Sequence, residues 1–139
     1  MRFKKLDSTL VLRLERGERI VETLTSFCLH ENIEFAHFSG LGTCRNAELG
    51  FFHIEAGAYA YKNFPGDCEI TALHGNVSLV GGKPYIHAHI VLGDSRFQSW
   101  SGHLKEAEVL ATCEIVLTRL KGKLIRKPDK KSGLNLLTI

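Results

Sequence analysis

The stretch Tyr85-Ile86-His87-Ala88-His89-Ile90-Val91-Leu92 alternates between two kinds of side chain. Successive side chains of a strand point to opposite faces. Ile86, Ala88, Ile90 and Leu92 therefore share one face, and His87 and His89 share the other. The apolar set turns to the core, so both imidazoles project away from it.

The segment that follows tests this orientation. Gly93 to Arg96 has turn composition, and Phe97 to Leu104 is strand-like. A hairpin turn centred on Ser95 sets His87 against His103 and His89 against Ser101. The same register lays Trp100 and Leu104 on the apolar face, opposite Ile90 and Ile86. One register satisfies both faces; an even-length loop without a bulge would send His103 to the wrong side. Directly opposed residues have Cβ atoms about 4.5–5.5 Å apart. Three imidazoles so placed can converge on one ion at metal–nitrogen distances of about 2.0–2.1 Å. His87, His89 and His103 are thus the expected ligands of a divalent metal. Zinc is the first expectation, although neutral imidazole also suits iron, copper and nickel. Three nitrogen ligands leave a position open for water, a substrate or another small molecule. A lone His-x-His pair more often just lines a half-polar sheet face; the third histidine in register decides for a metal.

Working outward, Thr9 to Leu14 is a short strand. Ile20, Val21, Leu24, Phe27 and Cys28 then recur at helical spacing, with polar residues between them, and Asn32 is a natural stop. Ile33–Ser39 and Ala47–Ile54 are strand-like, separated by Gly40-Leu41-Gly42-Thr43. No Gly-Lys-Ser/Thr follows those glycines, so a turn or bulge is expected rather than a phosphate loop. A short strand around Tyr59 lies in a turn-rich region. Cys68–Val80 is strand-like but interrupted by Gly75-Asn76, Gly81-Gly82 is a turn, and Val109–Leu120 is the last long strand. Many short strands and one amphipathic helix define an α/β (α+β) fold, a mainly antiparallel mixed β-sheet packed against that helix.

The 139 residues, 44% hydrophobic and 24% charged, suit one globular domain spanning 1–139. The net charge of +3 is no signature of nucleic-acid binding. The late basic run, Lys121, Lys123, Arg126, Lys127, Lys130 and Lys131, has the composition of a solvated tail. The apolar end, Leu134 to Ile139, is expected to pack on the domain or on a neighbouring subunit. Cys28, Cys44, Cys68 and Cys113 form no Cys-x-x-Cys pair and suit buried thiols in a reducing compartment. No signal-peptide pattern opens the chain and no apolar run could span a membrane, so a cytoplasmic location is expected.

Other chemistry is sparse. No Gly-x-Ser-x-Gly elbow is present. Glu69 and Glu114 fall in strand-like runs, where each could support a ligand, act as general base or join an ion pair; Glu69 is the candidate catalytic residue. His30 sits at the helix end, His37 and His53 in strands, and His74 could approach the three-histidine site.

Several blocks occur in a telling order: Gly17-Glu18; Phe38-Ser39-Gly40-Leu41-Gly42; Gly66-Asp67-Cys68-Glu69-Ile70-Thr71-Ala72-Leu73-His74-Gly75-Asn76; Pro84-Tyr85-Ile86-His87-Ala88-His89; and Ser101-Gly102-His103-Leu104. Together, across nearly the whole chain, they resemble the PPC domain, the plant and prokaryote conserved domain, in its stand-alone prokaryotic form. The resemblance implies an antiparallel-rich α/β fold and a homotrimer. Some members resemble metal-containing proteins, and the matching positions are His87, His89 and His103. Plant members carry an AT-hook for DNA. Here there is no Arg-Gly-Arg-Pro core, so DNA binding would rest on family association alone. Cys68 and His74 also depart from the family's usual block. Three functions follow as expectations: a trimeric metal-binding, DNA-associated regulatory protein; a small metal-dependent enzyme, hydrolase- or lyase-like; or an oligomeric interaction module with a structural metal.

Overall fold

Alternation builds the sheet. Leu10, Leu12 and Leu14 are buried, while Val11 and Arg13 between them are exposed. They form β2 (Thr9–Glu15), which follows β1 (Arg2–Leu6) and precedes α1 (Ile20–His30). The chain continues through β3 (Ala36–His53), β4 (Ala58–Phe64), β5 (Cys68–Val80), β6 (Lys83–Gly93) and β7 (Ser99–Arg119). The computed structural model describes all residues from Met1 to Ile139. Seven strands make one sheet in the order β1-β2-β7-β6-β5-β3-β4. A second, two-stranded sheet joins β8 (Arg126–Pro128) to β9 (Asn135–Leu137). Strand takes 65% of the residues and helix 8%, so the α+β class holds with the sheet dominant. All paired strands run antiparallel, so the sheet is antiparallel rather than mixed; the one parallel pairing is an isolated bridge from Leu79 to Ile125, which lies outside the sheet.

Two strands are longer than their sequence suggests. The segments expected at 33–39 and 47–54 fall in one strand, β3, which begins at Ala36 and ends at His53, and 99–119 form another, β7. The glycine-rich segment is a bulge: the β3–β5 register slips between Gly40 and Gly42, and the β3–β7 register slips just beyond. Gly75-Asn76 does not break β5 either. β3 pairs with β7 along one edge and with β5 along the other, so the ladders close a circuit β3–β5–β6–β7–β3. Apolar faces of these strands and of β2 join the buried side of α1 in one cluster of 27 residues.

α1 buries Ile20, Leu24, Phe27 and Cys28, the stripe expected from the spacing. Its N-cap, Arg19, makes no side-chain cap. Instead the Glu106 carboxylate on β7 accepts from the Val21 and Glu22 amides at 2.9 and 3.1 Å. A distant anion thus satisfies the helix's free N–H groups and complements its dipole.

The β6–β7 hairpin corrects the expected register. Its pairs are His89 with His103, Val91 with Ser101, Leu92 with Trp100 and Gly93 with Ser99. The turn is centred one residue later, on Arg96, which moves each partner by two. The cause lies at Asp94, whose Oδ1 accepts from the Arg96 and Gln98 amides, both at 2.9 Å. Phe97, expected to begin the strand, sits in the turn at φ 59° and is 95% exposed. An even shift preserves the side of every residue. His103 therefore keeps its face, although its direct neighbour is His89 rather than His87.

Candidate metal centre

β6 contributes His87 and His89 from its outer face, while Ile86, Ala88, Ile90 and Leu92 are buried behind them. β7 contributes His103 just before it leaves β6, and next to it Leu104 is buried. The three rings form a near-equilateral triangle, with centroids 5.4, 5.3 and 5.5 Å apart. One potential ligand atom from each lies within 4.8 Å of the other two. Tetrahedral zinc would draw its nitrogens to roughly 3.3 Å from one another. Side-chain rotation can supply that contraction.

Burial, then the Arg126 guanidinium and the other two imidazoles, push the His87 pKa down to about 4. Burial and His89 lower that of His103. Both rings are therefore neutral at neutral pH, the form a metal requires. His103 Nδ1 is buried and has no hydrogen-bond partner, a state that costs about 1–3 kcal/mol. Residue type, spacing and an orphaned nitrogen fit a metal ion; the one conflicting contact is at His87.

These shifts carry a sign. A histidine that protonates less readily folded than unfolded gives stability that is complete above its unfolded pKa and is lost as pH falls. The window for His87 runs from its ordinary value of 6.5 to about 4. Allowing for its half-exposed setting, stability in the absence of metal should fall by about 1–2 kcal/mol across that window. Urea titrations at pH 7 and pH 4.5, compared with His87→Gln, check this; an equal loss in the variant would contradict it.

A cleft of about 410 Å³ opens beside the triangle, bordered by Gly50, Phe52, Tyr59, His74, His89 and His103, among others. The Tyr59 ring lies 5.0 Å from His103 and from Phe52, and stacks on Tyr61 at 5.5 Å. Gly50 permits this wall: a Cβ there would come within 2.9 Å of both tyrosine rings. His74 stands directly opposite His89 on β5 and is exposed. Glu69 is not part of the site. It is exposed and pairs with Gly93, four residues along β6 from His89, or roughly 13 Å. Glu114 is exposed opposite Arg13. His30 contacts Glu31, His37 is exposed on β3, and His53 packs on Phe51.

Sequence patterns did not single out Arg126, Tyr59 or Gly50. Arg126 sits inside the basic run yet is 8% exposed. It is the run's one arginine among lysines, and only a guanidinium offers a planar fork able to serve several acceptors at once.

Fold and site together define a sheet-dominated α+β protein that presents a three-histidine cluster beside an aromatic cleft. The chain belongs to the Plants and Prokaryotes Conserved (PCC) domain family, whose model matches residues 1–121; this is the family that the sequence blocks resemble. It is similar to a plant- and prokaryote-conserved protein of Pyrococcus horikoshii, with 39% identity over 99% of this chain and 95% of that one, and a TM-score of 0.90. A protein of Archaeoglobus fulgidus described as metal-containing is 33% identical over 100% and 99% of the two chains, with a TM-score of 0.90. One of Bacteroides thetaiotaomicron, described as a candidate DNA-binding protein, is 28% identical over 99% and 96%, with a TM-score of 0.96. No curated protein matches the chain.

Proposed function

We propose that the protein is a homotrimeric PCC-domain protein that holds a divalent metal, zinc first, through His87, His89 and His103, and takes a small-molecule ligand in the adjoining cleft. The observation that carries this reading is the ring triangle with its ligand atoms within 4.8 Å. The metal-containing relative from Archaeoglobus fulgidus supports it. When bound, a metal supplies positive charge and an open coordination position. The chain's own residues do the rest. Burial keeps the His87 and His103 rings neutral, the Tyr59 ring braces His103, and the aromatic wall limits water. The whole of residues 1–139 acts as one unit in this reading. Four unpaired cysteines suit a reducing, cytoplasmic setting, and no helix is long and apolar enough to cross a membrane.

One observation favours an enzymatic variant of the same reading. His74 borders the cleft across from His89 and could exchange a proton with a bound molecule. Glu69, too far along the strand, could not. A DNA-associated role draws support only from how relatives are described.

Elemental analysis should find about one metal per chain in wild type, and less than roughly a tenth of that in His87→Ala and His103→Ala. Equal metal in all three would remove the proposal. Light scattering should report three chains per particle. A salt-dependent DNA titration tests the regulatory role, and no binding at low salt would discard it.

A further inference from the structure

Arg126 is the only charged residue among the buried ones, and it makes no ion pair. Its donors go to neutral acceptors: Nε to Ser78 Oγ at 2.9 Å, Nη1 to the Asn135 carbonyl at 3.0 Å, and Nη2 to Asn76 Oδ1 at 3.1 Å. Nη2 also reaches His87 Nδ1 at 3.1 Å. A guanidinium only donates, so His87 Nδ1 must accept with its lone pair, and the ring's single hydrogen lies on Nε2. Turning the ring over would set a C–H against the donor, so this orientation is the one Arg126 selects.

The contact conflicts with ligation by either nitrogen. Through Nδ1, the lone pair is already taken. Through Nε2, the hydrogen would have to sit on Nδ1, and two N–H donors would face each other across 3.1 Å. A dication would also repel the guanidinium at this range. Arg126 belongs to β8, which is tied to the body by few bonds. The Leu79 amide donates to Leu124 O at 2.7 Å, and Arg126 itself binds β5 through Asn76 and Ser78. The hairpin then closes on itself, through the β8–β9 ladder and the Thr138 amide on Ile125 O at 2.8 Å.

We propose that Arg126 is a positioning residue that competes for His87, so that metal occupancy of the centre is coupled to undocking of the C-terminal β8–β9 hairpin. This regulation rests on the three-histidine reading. His87 becomes a ligand only when Arg126 withdraws, and the bonds that anchor the hairpin leave with it. Conversely, a docked hairpin weakens metal binding.

Hydrogen exchange of the full chain, with and without zinc, tests the coupling together with zinc titrations of wild type and Arg126→Met. Zinc should speed exchange of amides 124–138 at least about tenfold while β3 and β7 stay protected. Arg126→Met should bind zinc roughly tenfold or more tighter. Zinc binding that leaves hairpin exchange unchanged or slower overturns the proposal, as does weaker binding by the variant, while the three-histidine reading survives. Absence of zinc binding in both proteins sinks the metal reading and the coupling with it. The exchange measurement needs no variant, so it stands even if Arg126→Met folds poorly.

Discussion

A Gly42→Ala variant should be severely destabilised. Gly42 has φ 150°, and an added Cβ would lie 2.2 Å from the Thr112 carbonyl oxygen and 2.7 Å from Cys113 Cα. Both are backbone atoms of β7, paired on the far side with β2, so neither can retreat alone. Overlap of this kind at a bulge should cost about 4 kcal/mol or more. Gly66→Ala is the control, because nothing lies within 4 Å of its added carbon. Denaturant melts of the two variants give the comparison: Gly66→Ala should stay within about 0.5 kcal/mol of wild type, and a stable Gly42→Ala would show that the bulge is freer to rearrange than its contacts allow.

The second large effect is expected from metal. A ligand that binds only the folded protein stabilises it by about 4 kcal/mol when present at a thousandfold excess over its dissociation constant. For a chain of this length the melting temperature should rise by roughly 10 °C or more. Zinc should produce that rise in wild type and not in the double variant His89→Ala/His103→Ala. Calorimetry at pH 7 reads both. An equal rise in the double variant would place the stabilising ion elsewhere.

What could be read from the sequence is traceable to parity. His87, His89 and His103 share a face because each neighbours an apolar residue that must be buried, and a register error of two residues left that untouched. The error itself came from Asp94: its side chain holds five residues out of the ladder, whereas composition alone marks a shorter turn. The helix was legible because its stripe has a 3.6-residue period and nothing competes with it. Strand continuity was not. Gly40, Gly42 and Gly75 have the composition of breaks, yet two occupy close approaches to β7 and the third lies under the Phe38 ring, where a Cβ would meet Cζ at 2.3 Å. β1 went unrecognised because all five of its residues are exposed and no alternation marks it. Arg126 and Tyr59 reach the histidines only through tertiary packing, which no local spacing encodes.

The closed ladder circuit has a temporal consequence. β7 is the common partner of β2, β3 and β6, and its matches to β2 and β3 lie between 53 (Gly50 with His103) and 109 (Thr9 with Thr118) positions away along the chain. Such distant matches make for slow acquisition of structure, typically milliseconds to seconds. During translation the circuit must wait until the ribosome has released Arg119. Until then β2, β3 and β6 carry bare edges able to capture another nascent chain. Premature termination anywhere before β7 should therefore yield aggregates rather than a smaller folded fragment.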